Sequence, residues 1–192
     1  SAASDVYKRQ VFDKPVLLEQ VGVTKAPPDL AEWEEIGFAR YLQRKRLFLS
    51  ARNVEKTERV PSFVKEEEAE TILALMQQSF EPYTSALPDL DTLRQDIREN
   101  RVLAAREGEK LLGFLRFGRE KKVSVLWQIA VAPDGRGKGI GSGLVQDWLV
   151  IERDEAAKFQ LWVREDNPSA LRMYEASGFL PDGRIAPVMM KK

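Results

Sequence analysis

A glycine cluster between an apolar strand and an amphipathic helix limits the folds open to this chain more than any other stretch. Residues 128–131 are mostly apolar, a Pro-Asp-Gly turn follows, and glycines then alternate at positions 137, 139 and 141. Glycines at a helix start leave backbone N–H groups uncovered at the positive end of the helix dipole, which favours an anion. Arg136 and Lys138 add positive charge there. The stretch therefore predicts a strand–turn–helix unit that holds a phosphate-bearing ligand.

Two common phosphate-binding patterns do not fit this stretch. The loop of nucleoside triphosphatases requires GxxxxGK[ST], but Lys138 is followed by Gly139. The dinucleotide fingerprint GxGxxG also fails, because no Gly-x-Gly start here has glycine at the sixth place. What remains is Arg136-x-x-Gly139-x-Gly141 directly after a strand. A glycine turn that only lets strand and helix approach closely stays the alternative.

The chain contains no cysteine and no histidine among its 192 residues. Disulfides, thiol nucleophiles, Ser-His-Asp relays and the usual zinc-binding sets are therefore excluded, and we expect no metal ion. Catalysis would have to come from Tyr, Asp, Glu, Lys, backbone amides or a bound cofactor.

From about residue 60, strand and helix patterns alternate to the end of the chain. A glycine-turn hairpin is predicted over 102–117, and the residue pair Asn167-Pro168 is typical of a helix start, with Gly178 at its end. Further strands are predicted at Ser62–Val64, Val123–Val131, Phe159–Val163 and Val188–Met190, and helices near 72–80, 90–97 and 140–149. The early hairpin indicates a mixed α/β (α+β) sheet with helices on both faces.

Charge and apolar run lengths limit the partners. Lys plus Arg and Asp plus Glu both number 30, so the net charge is zero and gives no pull towards nucleic acid or an anionic membrane. Apolar runs such as 129–132 are too short to span a bilayer. The basic run from Arg40 to Arg46 would serve a nucleic-acid module, but its interleaved apolar residues favour a strand with a charged outer face. We expect a cytoplasmic protein without nucleic-acid or membrane partners.

The pattern Arg136-x-x-Gly139-x-Gly141 resembles the acetyl-CoA site of the GNAT superfamily of N-acetyltransferases, usually written (Q/R)xxGx(G/A). About 30 residues downstream, the segment from Asn167 to Phe179 is similar to the family's second signature, with its Tyr-Glu pair and Gly-Phe end. The resemblance covers roughly residues 60–192. It implies the GNAT fold, a mixed, mostly antiparallel twisted sheet flanked by helices on both faces.

The resemblance also implies transfer of an acetyl group from acetyl-CoA to a primary amine of a small molecule or peptide. It implies that the diphosphate lies on the glycine loop and the pantetheine arm along the preceding strand, where the Ile129 N–H could polarise the thioester carbonyl. The implied cofactor-binding residues are Ile129, Ala130, Val131, Arg136, Gly137, Lys138, Gly139, Ile140, Gly141 and Asn167.

Tyr174 matches the family tyrosine that protonates the departing CoA thiolate, and it is the predicted catalytic acid. A core aromatic at helical spacing from Leu171 is the alternative. No carboxylate lies on the strand 123–131, where the family often has its general base. Glu165 and Asp166 are substitutes, or simply a solvated turn. With no such base, either water and a distant acid deprotonate the acceptor amine or the chain is a weak enzyme. The alternative function is a non-catalytic acyl-CoA-binding sensor or scaffold.

The resemblance implies that the acceptor is held near two loops, Glu81 to Pro88 and Asp182-Gly183. Tyr83 and the nearby acids Glu81 and Asp89 indicate a cationic amine, although loops are also acidic for reasons of solvation alone.

The first third of the chain divides into two parts. Residues 1–10 show no periodicity, and we expect a non-native leader. Residues 11–55 are predicted to be a strand–helix–strand remnant of a preceding GNAT-like domain, because Leu30–Phe38 aligns with Leu171–Phe179. A chance helix ending in glycine would give the same match. The acetyltransferase domain is then 60–192, and we expect either a homodimer or contact with a missing N-terminal domain.

Overall fold

The computed structural model describes residues 15–23 and 30–191, so the predicted leader 1–10 lies outside the described residues. The described chain forms one mixed sheet with helices on both faces. Its strands are β1 Val16–Glu19, β2 Gly22–Val23, β3 Ala39–Ser50, β4 Ser62–Phe63, β5 Val102–Glu107, β6 Lys110–Glu120, β7 Val123–Val131, β8 Lys158–Arg164 and β9 Leu180–Lys191. Its helices are α1 Ala31–Glu35, α2 Ala69–Ser79, α3 Leu90–Arg98, α4 Ile140–Glu152 and α5 Pro168–Ala176. None of these helices combines the length and apolarity needed to cross a membrane.

The sheet has the order β1-β9-β3-β8-β7-β6-β5-β4, and β2 also pairs with β9. Strands β7 and β8 are parallel, whereas the other pairings of the described strands are antiparallel. The predicted mixed sheet is therefore confirmed. The parallel pair needs the crossover through α4, which places the glycine cluster at the carboxyl end of β7.

The two faces of the sheet have separate cores. Helices α4 and α5 cover one face, where the fully buried Trp148 packs on Phe159 and Phe179 and donates a hydrogen bond of 2.9 Å to Ser124 Oγ. Helices α2 and α3 cover the other face around the buried Phe114 of β6. On that second face, the outward side chains of β8 stay partly exposed, including Trp162.

The last strand is longer than predicted. It begins at Leu180 rather than Val188, because it pairs along β3 over most of its length. Prolines 181 and 187 interrupt the local strand pattern, and the β3–β9 pairing has two register shifts, one with an extra residue in β3 and one with extra residues in β9. Because pairing with β3, far away in the sequence, determines the length of β9, the local sequence pattern gives little indication of where the strand begins.

The segment before residue 55 forms the predicted strand, helix and strand, and it belongs to the same sheet as the rest. Strand β3 lies between β8 and β9, and its Leu47 and Leu49 are buried in the core under α4. Residues 54–61 have no regular secondary structure, as a linker would. The origin of this segment as a remnant of another domain stays a prediction.

Candidate active site

Strands β7 and β8 separate towards their carboxyl ends, and a cleft of about 1350 Å³ opens between them. Their pairing ends at Leu126 and Leu161. One residue further on, Trp127 forms a β-bulge, because Arg116 pairs with Gln128 while Phe117 pairs with Leu126. The bulge bends β7 away from β8 and provides room for a ligand between the strands.

The glycine loop leaves the start of α4 bare. Gly137 and Gly139 both have φ of +74°, the left-handed region that favours glycine. Gly139 precedes α4 and has no side chain to cap it. The Gly143 N–H reaches the Gly139 carbonyl at 3.0 Å, but no described residue accepts a hydrogen bond from the N–H groups of 140–142. Those N–H groups and the helix dipole together favour an anion.

Other glycines of the cluster serve close packing instead. A Cβ at Gly141 would lie 2.9 Å from Met173 Sδ of α5, and one at Gly135 would lie 2.9 Å from Ile140 Cδ1. At Gly137 and Gly139, in contrast, a Cβ would meet nothing within 4 Å. Close packing therefore explains Gly135 and Gly141, whereas the open space at Gly137 and Gly139 is compatible with a ligand at those positions.

The open edge of β7 offers backbone groups to the cleft. The Ala132 N–H donates to the Leu112 carbonyl at 2.8 Å, so it faces β6. Backbone groups alternate in direction along a strand, so those of Ile129 and Val131 face the gap left by β8. An extended, amide-containing ligand can pair with this edge as an added strand does.

Tyr174 lies on α5 and lines the cleft. It is 4% exposed, packs edge-on against Phe179, and has no hydrogen-bond partner for its hydroxyl in the described ranges. Burial raises the pKa of the phenol above its ordinary value, so it stays protonated at neutral pH. A protonated phenol at the wall of the cleft can act as a proton donor.

Comparison with known proteins bears on this arrangement. The profile of the acetyltransferase (GNAT) family matches residues 69–179. The chain belongs to the GNAT family. S-(2-succino)cysteine N-acetyltransferase of Bacillus subtilis is 30% identical over 136 residues, which cover 62% of this chain and 82% of that relative. Mycothiol acetyltransferase of Rhodococcus jostii is 34% identical over 85 residues, 41% of this chain and 28% of that relative.

Solved structures share the GNAT fold. The GCN5-related N-acetyltransferase from Sphaerobacter thermophilus has a TM-score of 0.73 at 16% identity, over 98% of this chain and 63% of that chain. A Mycobacterium tuberculosis protein in complex with CoA has a TM-score of 0.53 at 17% identity, over 64% of this chain and 72% of that chain. At these identities the likeness shows the fold alone.

Most of the cofactor-binding residues implied by the GNAT resemblance surround the cleft. Its lining includes Ile129, Ala130, Val131, Arg136, Gly137, Gly139, Ile140, Gly141 and Asn167. Asn167 also caps α5 by accepting a hydrogen bond of 3.1 Å from the Ala170 N–H. Lys138 is not part of the lining, because its Nζ lies 3.5 Å from a carboxylate oxygen of Glu107 on β5.

The two substitute bases are both engaged. Asp166 lines the cleft, but hydrogen bonds from Arg164 lower the pKa of its carboxyl. Glu165 is not in the lining, and it accepts a hydrogen bond of 2.7 Å from Gln43. A carboxylate with a lowered pKa is a poor general base.

The acids near the acceptor loop also have structural partners. Asp89 is the N-cap of α3, accepting a hydrogen bond of 2.8 Å from the Thr92 N–H. Glu81 lines the cleft and accepts hydrogen bonds from Tyr41, Tyr83 and Thr84, the last through both its N–H and its hydroxyl. Burial raises the pKa of the Glu81 carboxyl, but these hydrogen bonds outweigh it and lower the pKa overall. With both oxygens occupied, Glu81 orders the loop rather than binding a cationic amine directly.

A buried polar cluster beside the cleft was not predicted from the sequence. Arg116 of β6 donates to Asp96 Oδ2 at 2.7 and 2.5 Å and to Gln128 Oε1 at 2.9 Å. Its guanidinium also stacks on the Trp127 ring at 4.5 Å. Arg116, Trp127 and Gln128 line the cleft. The available signal was a lone arginine within the apolar strand 111–117, which indicates a buried charge that needs a partner.

Proposed function

We propose that this GNAT protein is an acetyl-CoA-dependent N-acetyltransferase that acts on a primary amine of a small molecule or peptide. The observation that carries the proposal is the meeting of three features in one cleft. These are the uncapped start of α4, the open edge of β7 and the buried phenol of Tyr174. Two relatives named for S-(2-succino)cysteine and mycothiol support a small-molecule acceptor.

Each feature would hold a different part of acetyl-CoA. The N–H groups of 140–142, with Arg136, suit the diphosphate. The backbone groups of Ile129 and Val131 suit the amides of the pantetheine arm. Acetyl-CoA supplies an already activated thioester, so positioning the acceptor amine against it accounts for much of the expected rate.

Tyr174 is proposed as the general acid. A tyrosine phenol carries a proton at neutral pH and can give it to the departing thiolate. Burial raises its pKa, which keeps the phenol protonated but makes it a weaker acid. The Ile129 N–H is proposed to polarise the thioester carbonyl, since it faces the gap at the same edge of β7. The acceptor amine then enters from the side of Trp127 and the loop 81–88.

A release assay tests both the activity and the acid. Thiol release from acetyl-CoA over a panel of primary amines should exceed the amine-free background. Tyr174→Phe should lower kcat by about 10²- to 10⁴-fold, the usual contribution of general acid–base catalysis. Its affinity for acetyl-CoA should not change, because the phenol touches neither the glycine loop nor the Ile129 backbone in this proposal. Undiminished turnover in Tyr174→Phe would remove Tyr174 from the mechanism.

The second candidate function is a non-catalytic acyl-CoA-binding sensor or scaffold. One observation favours it, namely that each carboxylate in the described lining of the cleft, Glu19, Glu81 and Asp166, is already hydrogen-bonded. Acetyl-CoA binding without thiol release for any amine would select this function.

We also propose a cytoplasmic location. Residues 11–55 are proposed to contact a second copy of the chain or a preceding domain. Acetyl-CoA as donor supports the location, since it is an intracellular metabolite.

A further inference from the structure

Two arginines on neighbouring strands line the end of the cleft near Trp127 and the loop 81–88, which we call the acceptor end. Arg44 of β3 and Arg164 of β8 are Cα partners in the antiparallel ladder, so their side chains leave the same face of the sheet. Both line the cleft. Arg164 lies three residues beyond the last β7–β8 pair, and Ile129 lies two register steps beyond it on β7, because the bulge at Trp127 takes up one residue. The arginine pair therefore lies within about one residue of the level of the proposed thioester site.

Like charges placed directly opposite each other destabilise a sheet. Each guanidinium has one acidic partner, Glu19 for Arg44 at 2.9 Å and Asp166 for Arg164 at 2.6 Å. The Glu19 carboxylate is 49% exposed and accepts from one nitrogen of Arg44, so a ligand anion can displace it at small cost. The Asp166 carboxylate is 64% exposed but accepts from both Nε and Nη2 of Arg164, at 2.8 and 2.6 Å, so a ligand anion has to replace a two-point contact there.

Arg44 is held in place from the loop between α2 and α3. Its Nη2 donates to the Thr84 carbonyl at 3.0 Å and to the Thr84 hydroxyl at 2.5 Å, and its side chain is only 15% exposed. Since Thr84 occupies Nη2, a carboxylate that displaces Glu19 would accept from Nη1, and the fixed guanidinium loses little freedom in binding it.

The same end of the cleft also carries negative charge and aromatic surface. Glu81 cannot accept further hydrogen bonds easily, but its charge favours a nearby ammonium. Trp127 and Trp162 supply flat apolar walls. A lining of this kind complements a small zwitterion better than a purely cationic amine.

On the basis of the proposed function, we infer that the acceptor is a free α-amino acid or a close derivative, whose carboxylate binds between Arg44 and Arg164. The α-amine then points towards Ile129 and the thioester. This assigns to the N-terminal strand β3 a part in acceptor recognition.

Matched acceptor panels test the inference in the wild-type protein. The common L-amino acids and their amides are each incubated with acetyl-CoA, and Nα-acetyl products are measured by mass spectrometry. At least one amino acid should react about tenfold or more faster than its amide, the loss expected for a missing charged hydrogen-bond partner. Equal or faster reaction of the amides, or no reaction of any amino acid, would overturn the inference.

Variants then test the two arginines. Arg44→Gln and Arg164→Gln should each raise KM for the preferred amino acid about tenfold or more, with kcat and KM for its amide little changed. The matched control is Arg98→Gln, an exposed arginine of α3 paired with Glu66, which should leave both values unchanged. An unchanged acid-to-amide preference in both cleft variants would contradict the assignment, even if either variant is less stable.

A binding measurement with acetyl-CoA distinguishes failure of the proposed acceptor class from failure of the proposed function. If calorimetry shows that acetyl-CoA binds but no amino acid is acetylated, only the proposed acceptor class is overturned. Absence of acetyl-CoA binding overturns the proposed function itself.

Discussion

The two ends of the cleft are built in different ways. The donor end is made of backbone from one continuous stretch, from the edge of β7 through the glycine loop to the start of α4. The acceptor end is made of side chains that meet from β3, β6, β7, β8 and the loop between α2 and α3. A site made of backbone groups tolerates side-chain substitutions as long as the backbone conformation is kept. A site made of side chains loses its arrangement when any one of its buried partners is replaced.

The largest expected effect lies in the buried pair of the acceptor end. Arg116→Ala should lower the free energy of unfolding by about 3 kcal/mol, because it leaves Asp96 buried without its main partner. Arg101, 3.7 Å from the other Asp96 oxygen, keeps the loss at the low end of the usual range. Urea unfolding measures it. As control, Arg94→Ala breaks an exposed pair with Glu70 and should change stability by less than about 1 kcal/mol.

A substitution at Gly118 of β6 tests whether the two ends of the cleft act independently. A Cβ at Gly118 would overlap the Trp127 ring, so Gly118→Val should displace this indole from the cleft. We expect about 1–3 kcal/mol of lost stability and a raised KM for the acceptor, with unchanged affinity for acetyl-CoA. Gly118→Ala should give smaller losses of the same kind. Weaker binding of acetyl-CoA in either variant would show that the two ends are not independent.

Two neighbouring cations, Arg136 and Lys138, test which side chains contribute to acetyl-CoA binding at the donor end. Arg136 lines the cleft, whereas Lys138 faces Glu107. Arg136→Gln should weaken acetyl-CoA binding about tenfold, and Lys138→Gln less than about threefold. Calorimetric titrations at two salt concentrations check this, since the arginine effect should shrink with added salt. Equal effects of the two variants would contradict the placement of Lys138.

The smallest effect concerns the loop carboxylate at the acceptor end. The folded-state pKa of Glu81 is lowered, so its contribution to stability is present above its unfolded pKa and is lost as pH falls through the folded value. Glu81→Gln should therefore cost about 1 kcal/mol at pH 7, and the difference should disappear in acid. Urea unfolding across this range measures it, with the exposed Glu55→Gln as control. A difference that persists in acid would argue against the charge as the cause.

The same contrast explains how far the sequence could be used for prediction. The glycine loop, the Asn167 cap and the left-handed Gly178 are local patterns, and the structure has the cap and the positive φ of Gly178 where they were predicted. The direction of Lys138 could not be predicted, because Glu107 lies on another strand. The full length of β9 depends on pairing with β3, far away in the sequence, so no local pattern indicates it. For the Arg116 cluster, the lone arginine in an apolar strand indicates a buried charge, but its partner Asp96 on another element could not be identified.

The central claim is that the bare first turn of α4 binds acetyl-CoA through its backbone. Ser142→Pro removes one N–H of that turn, which has no partner within the helix, and Asp91→Pro removes one from the first turn of α3 outside the cleft. In calorimetric titrations with acetyl-CoA, wild type and Asp91→Pro should bind with the same affinity. Ser142→Pro should bind about tenfold more weakly or worse. No binding by the wild type, or equal binding by all three proteins, would contradict the account.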